Sequence, residues 1–381
     1  MSEYQYYNFR AIDSPLSPAQ MKHLRGISSR AEITPVSFVN EYNWGDLQAA
    51  PRNLMRDFFD IHVYLANWGS AVLMLRLPKE VLDEQTLQAF TVDSYFEVES
   101  LADYWLLTWS LGESSDYDLF EDEEGGSWMT RLAPLREELL RGDLRSLYIG
   151  WLQAVTVDED MDEEPEPMAL GGLGNLTAAQ QALAEFLAVD PDLLTGAGIG
   201  SRADSRKEKD GAAHDAWLDT LSREEMQRYL HQMLTRQGTQ AERTLLRNFA
   251  AWQSEANPDD QTQMRRTVEE LWQLAEQCQK VRLALQTEAR KKAEAETRRK
   301  REAYLTLMAK NFGGAWKIAH MNAGTGGARS YDSACRQLID LQDAYDLQGN
   351  SDIFQQELEK FMSDHKQRKA LMTRLEKAGI R

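Results

Sequence analysis

An α+β N-terminal domain followed by an all-α C-terminal half, containing a long helix and helical hairpins, is the fold class that this sequence predicts. Three observations predict it. Through roughly the first 110 residues, aromatic and β-branched runs alternate with helix-start signals. Nine of the ten prolines lie at or before Pro191 and the other is Pro258, so long helices in the second half meet almost no interruption. Charge divides in the same way: residues 1–200 hold 12 Lys and Arg against 34 Asp and Glu, and residues 201–381 hold 31 against 27. Such an asymmetry points to modules that face different surroundings, or each other.

In chain order, Tyr4–Ile12 and Ile33–Tyr42 are the first expected strands. Between them Ser17-Pro18-Ala19-Gln20 combines an N-cap, a proline at the first helical position and a Gln three residues on, with Leu16 and Met21 where a hydrophobic staple sits, which predicts a helix from Pro18 to about Ile27. Leu54, Phe58, Ile61 and Leu65 recur at helical spacing and predict a helix over 53–65. Ala71–Leu77 (AVLMLRL) is a continuous apolar run of the kind a doubly covered strand carries. Phe90–Glu97 and Tyr104–Ser110 complete a set compatible with a sheet bearing helices on one face. Trp105 and Trp109, four apart, share a face of that last strand and are expected in the core.

The acidic stretches Asp116–Glu124 and Asp158–Glu166 have too little apolar content to bury, and are expected as loops or linkers, with 158–168 the first place a protease cuts. Between them Leu132, Leu135, Leu139 and Leu140 keep helical spacing. Thr177-Ala-Ala-Gln180 and Ser222-Arg-Glu-Glu225 are further capping boxes, and Gly238 followed by Thr239-Gln-Ala-Glu242 predicts a helical hairpin. From about Thr262 to Phe312 neither proline nor glycine occurs, so one long helix is expected at about 263–310. Its first half places Met264, Val268, Leu271, Ala275 and Cys278 on a coiled-coil seam, whereas 290–302 is almost wholly charged and should stand in solvent. Tyr331–Leu347 and Ile353–Met362 then pair across Gly349-Asn350. The expected domains are therefore an α+β domain at 1–115, a helical subdomain at 126–200 flanked by acidic loops, and a helical arm at 213–381 with a terminal hairpin at 331–365.

Functional signals are few. A net charge of -18 disfavours nucleic acid and anionic membranes for the chain as a whole. No apolar run is long enough to span a bilayer, and MSEYQYYNFR lacks the character of a signal peptide, so the expected location is the cytoplasm, with no membrane partner. Cys278 and Cys335 are too few for a zinc ribbon or a disulfide scaffold. The six histidines form no sequence-local metal pattern; on a helix over 53–65, Asp57, Asp60 and His62 would not converge on one ion, so no metal or other cofactor is expected. The glycine clusters GGLGN at 171–175, GAGIG at 196–200 and AGTGGARS at 323–330 lack the strand context or the lysine of a phosphate loop and read as linkers or helix stops.

Two basic patches stand out. Arg290, Lys291, Lys292, Arg298, Arg299, Lys300 and Arg301 lie along the long helix, and Lys366, Arg368 and Lys369 near the C-terminal end. They are the candidate contacts to an anion or nucleic acid. Interleaved glutamates argue for a solvated helix, with Glu288–Lys292, Glu294–Arg298 and Glu296–Lys300 as expected i,i+4 pairs. The reading reached from these residues is a non-enzymatic cytoplasmic interaction or scaffold protein whose acidic head carries a helical arm that binds a protein partner. The alternatives are a nucleic-acid-associated accessory protein using 290–301 and 365–381, and an enzyme with an unrecognised site in the N-terminal domain.

The segments YQYYNFRAIDSPLS, RAEITPVSFVNEYNWGD, LANWG and MLRLP resemble a family of uncharacterised bacterial proteins. The tail, YDSACRQLIDLQDAY with KALMTRLEKAGI, is similar to the tails of some bacterial SWIM-type zinc-finger proteins. The zinc motif itself is missing, so the resemblance implies neither a metal ligand nor an activity.

Overall fold

The computed structural model describes residues 4–112, 125–158, 161, 164–201, 210–235 and 265–380, with isolated positions between 238 and 252. The acidic run 116–124, the cap at Thr239 and Met264 lie outside the described residues. Two compact units emerge, Met1–Val281 and Arg282–Arg381. Nineteen basic and thirteen acidic residues leave the second unit net positive, inside a chain whose total is -18.

The first unit is built on a seven-stranded antiparallel sheet: β1 (Gln5–Arg10), β2 (Glu32–Thr34), β3 (Ser37–Tyr42), β4 (Ile61–Ala66), β5 (Ala71–Pro78), β6 (Phe96–Ser100) and β7 (Tyr104–Leu111), in the order β2-β3-β1-β4-β5-β7-β6. Period-2 alternation sorts the side chains of these strands. Val63, Leu73, Leu75, Leu107 and Trp109 enter one core, while Tyr7, Phe9, Phe38, Met74 and Leu106 enter another on the opposite face. β5 lies inside the sheet between β4 and β7 and contributes to both faces, as its continuous hydrophobicity predicts.

Helices cover both sheet faces rather than one. α1 (Pro18–Ile27) and α2 (Pro51–Asp57) bring Leu24, Leu54 and Met55 against Phe9 and Phe38. The other face carries α3 (Glu84–Phe90), α4 (Gly125–Leu132), α5 (Pro134–Leu140), α6 (Arg145–Val157), α7 (Ala178–Phe186) and α8 (Pro191–Gly198). Three helix starts match the sequence: Ser17, Thr177 and Ser222 each close a capping box, the last opening α10 (Arg223–Leu234) after α9 (Asp210–Leu218). Trp105 and Trp109 are buried, their indole N–H groups donating to the carbonyls of Leu82 and Ser146 at 2.9 and 3.2 Å.

Three elements depart from expectation. The helix expected over 53–65 ends at Asp57, because the β-branched, aromatic run IHVYLA pairs with β1 on one side and β5 on the other. Ile33–Tyr42 is a hairpin of two strands, β2 and β3, rather than one strand. Phe90 closes α3, and the strand begins only at Phe96.

The long helix is α11 (Val268–Ala309), starting a few residues later than the composition suggested. Thr267 supplies the reason. Its hydroxyl accepts from the Glu270 amide at 3.2 Å while the Glu270 carboxylate accepts from the Thr267 amide at 2.9 Å, a capping box that sets the first turn. Val268, Leu271 and Ala275 are buried in the core shared with the sheet.

In the second unit the end of α11 packs with α12 (Phe312–Thr325), α13 (Ala328–Leu347), α14 (Ser351–His365) and α15 (Lys369–Lys377) around Trp316, Leu338, Phe354, Phe361, Leu371 and Leu375. Gly326 and Gly327, at φ 77° and 93°, reverse the chain between α12 and α13, a conformation that side-chain-bearing residues rarely adopt. AGTGGA is thus a reversal between helices, and the expected hairpin between α13 and α14 turns at Gly349.

Candidate functional site

The seven basic residues at 290–301 all lie on α11, and every residue from 283 to 300 is exposed. At about 100° per residue they wrap around the helix instead of forming one stripe. Several are already paired. Arg290 meets Glu294 at 3.4 Å, Lys300 meets Glu296 at 2.6 Å and Arg298 meets Glu302 at 3.9 Å. Of the three pairs the sequence suggested, Glu296–Lys300 forms, while Arg290 and Arg298 pair with Glu294 and Glu302, the glutamates that follow them. Arg301 is half-buried and clamped on α13, 2.5 Å from Asp340 and 2.7 Å from Asp343. Lys291, Lys292 and Arg299 form no ion pair among the described residues.

The second patch is engaged differently. Arg368 donates to the Tyr331 hydroxyl at 3.2 Å and to the Gly324 carbonyl at 2.7 Å, so its guanidinium ties the α12–α13 reversal to the start of α15. Lys366 and Lys369 flank it, both exposed.

Sequence reasoning missed a buried ionic centre in the first unit. The acidic stretch expected to be a free linker is docked at its end: Glu166 is 1% exposed, its carboxylate accepting from the Tyr148 hydroxyl at 2.7 Å and from the Arg266 guanidinium at 3.0 and 3.1 Å. The Arg266 amide donates to the same carboxylate at 3.0 Å, and Pro165 pairs with Thr267 as an isolated bridge. Arg266 also donates to the carbonyls of Ala197 and Ile199, at the C-terminal end of α8. Two fully aligned charges and satisfied donors are what allow a carboxylate to be buried. Burial, with the Glu166 charge beside it, pushes the Tyr148 phenol well above its ordinary range. The signal was one glutamate in an acidic run and one arginine 100 residues away, which no local pattern connects.

A second network surrounds Asp60. Its carboxylate accepts from the amides of Ile12 and Asp13 at 2.6 and 2.9 Å and from Arg76 at 2.8 and 3.2 Å. Burial works against the charge, but these donors and nearby Arg136 outweigh it, holding the carboxyl below the usual range. Arg136 itself is bidentate to Asp13 at 2.6 and 3.1 Å. Asp60 and His62 do not converge: Asp60 is held at the sheet end, while His62 lies flat on Phe9 with ring centroids 3.8 Å apart and its Nδ1 3.1 Å from the Asn8 carbonyl. Complete burial lowers the His62 pKa to about 3. Asp57 is exposed and pairs with Arg56.

The glycine clusters of the first unit serve packing. A Cβ on Gly196 would lie 2.9 Å from the Ala275 amide nitrogen, and one on Gly198 would lie 2.9 Å from the Gly174 Cα, so α8 can approach α11 and the 171–175 loop only because both positions are bare.

In the second unit His320 and His365 meet across 45 residues of sequence, Nδ1 of the former 3.1 Å from Nε2 of the latter. Burial, then the neighbouring His320 and Arg368, lower the His365 pKa, with Asp364 opposing. Among the described residues no group of three or more His, Cys, Asp or Glu is arranged to hold a metal ion, and no helix is long and apolar enough to cross a membrane. In comparisons with protein-family models, curated proteins and solved structures, nothing matches this chain.

Proposed function

We propose that this chain is a non-enzymatic interaction or scaffold protein of the cytoplasm, in which an acidic α+β unit carries a helical arm that engages a protein partner. One observation supports the reading above the others. α11 is packed into a core at each end, through Val268, Leu271 and Ala275 in the first unit and through Met308 in the second, yet its residues 283–300 are exposed throughout. Among the described residues these five turns of helix make ion pairs only within the helix itself, as Arg290–Glu294 and Glu296–Lys300 do, and none of them enters either core. The Asp60 and Glu166 networks spend their charges on backbone and side-chain partners inside the fold, which accounts for those residues without a substrate.

A second reading has its own support. Lys291, Lys292 and Arg299 are exposed cations without an ion-pair partner among the described residues, and three such charges on phosphates give a log–log salt slope of about -3. One experiment separates the two readings. Tagged full-length protein and its Lys291→Glu, Lys292→Glu, Arg299→Glu variant are used for capture from native lysate, with and without nuclease. Protein capture that survives nuclease and is lost in the variant supports the scaffold reading. Capture abolished by nuclease favours nucleic acid. Equal retention by wild type and variant removes α11 from both.

A further inference from the structure

The pair formed by His320 and His365 carries an inference about metal binding that neither basic patch nor either buried network does. His320 projects from α12 and His365 is the last residue of α14, so the pair is made by tertiary packing within the second unit. Phe361 wedges both rings, its centroid 4.8 Å from that of His320 and 4.7 Å from that of His365. Trp316 lies 6.4 Å behind His320. The two imidazoles are therefore held by aromatic walls on one side, while neither is fully enclosed.

Two imidazole nitrogens bound to one first-row ion at about 2.0–2.1 Å, with an angle between tetrahedral and square, stand about 2.8–3.4 Å apart. The observed separation of 3.1 Å falls inside that window. Without an ion, one ring donates its N–H to the other's lone pair. To chelate, the donating ring shifts that hydrogen to its other nitrogen and the rings tilt until both lone pairs converge on an ion beside the N···N line; a neutral pair loses no proton overall.

We propose that His320 and His365 form a two-histidine site for a divalent first-row transition metal, with water completing the coordination. The facing groups are compatible with a cation. Asp364 adds a carboxylate beside His365; Arg368, whose charge acts on that ring, is occupied by the Tyr331 hydroxyl and the Gly324 carbonyl, and Lys366 and Lys369 are exposed to solvent. A two-ligand site leaves open positions, which suits exchangeable binding and not a structural zinc. Cys335 is no ligand candidate, being buried among the helix contacts of the same core.

Cu²⁺ is the probe of choice, since it binds nitrogen ligands most tightly among these ions and reports its donors by electron paramagnetic resonance. Full-length protein is loaded with one equivalent at pH 7.5. The expected spectrum shows superhyperfine splitting from two equatorial nitrogens, and Zn²⁺ competes for the site. Losing even an indirect support of a ligand weakens binding about 10–100-fold. His320→Ala and His365→Gln should therefore each lower affinity by at least about tenfold and reduce the pattern to one nitrogen. A wild-type spectrum with oxygen donors only overturns the proposal whatever the variants do, as does a two-nitrogen pattern that persists in both variants. Far-ultraviolet circular dichroism confirms that the variants remain helical, and the wild-type spectrum stands as a test even where they do not.

Discussion

Acidification should weaken the first unit through His62. This ring is completely buried, lies flat on Phe9 and stacks near Tyr7, and its Nδ1 meets the Asn8 carbonyl; its Nε2 has no hydrogen-bond partner among the described residues. Burial lowers its pKa from 6.5 to about 3, so the folded protein keeps the ring neutral where the unfolded chain binds a proton. The unfolded state then holds more protons between those values, and stability falls as the pH falls through that window. Above about pH 6.5 the contribution is fully present. Each unit of acidification below about pH 6.5 removes roughly 1.4 kcal/mol, reaching about 2 kcal/mol at pH 5 and about 3 at pH 4. His62→Phe keeps an aromatic ring in the stack and removes the titration, at a loss of about 1 kcal/mol for the hydrogen bond to Asn8. Urea unfolding of both proteins at pH 7, 6, 5 and 4 measures the difference directly, since every other group titrates alike in the pair. Wild type should be the more stable at pH 7 and the less stable at pH 4. Free energies that stay parallel across the series would show that the buried ring is not the group responsible.

The remaining expectations concern packing and the docked strap. Gly196→Ala pushes a methyl into the backbone at Ala275, where no side chain can yield, and should lower stability by about 1–3 kcal/mol, read from the thermal midpoint. Glu166→Gln leaves Arg266 without its counter-charge and should destabilise by about 3 kcal/mol while making residues 164–168 more sensitive to protease; an unchanged cleavage pattern there would mean that the Arg266 contact does not hold this segment. Ala295→Pro should break α11 at a loss of roughly 3 kcal/mol of helix stability and open a cleavage site there, with the two cores still yielding protected fragments. Arg298→Gln combined with Arg299→Gln should change stability by well under 1 kcal/mol, because the Arg298–Glu302 pair is exposed and 3.9 Å long.

Much of the fold was legible because its signals are local. Ser17, Thr177 and Ser222 close their capping boxes with residues three positions on, and such hydrogen bonds need nothing beyond one helical turn. The charged stretch after Arg290 has no apolar face to bury, so its exposure follows from composition alone. By itself, then, the sequence determined the α+β head, the helical second half and the long helix with its solvated middle. Their spacing also put Trp105 and Trp109 on one strand face, and the general burial of large aromatics pointed that face to the core.

What tertiary structure decided is wherever partners come from far apart in the chain. Helical spacing over 53–65 was real, but the pairing of IHVYLA with β1 and β5 satisfied its backbone along the whole run and overrode the periodicity. The end of an acidic linker became a buried strap because Arg266, 100 residues on, neutralises Glu166 and caps α8 at once. Gly196 read as a helix stop until α11 arrived against it, and His320 and His365 were two isolated histidines until the packing of α12 on α14 closed their nitrogens to 3.1 Å. Caps and periodicity are written in neighbouring residues; the neutralisation of a buried charge, a close backbone approach and a pair of facing imidazole nitrogens depend on distances that exist only after the chain has folded.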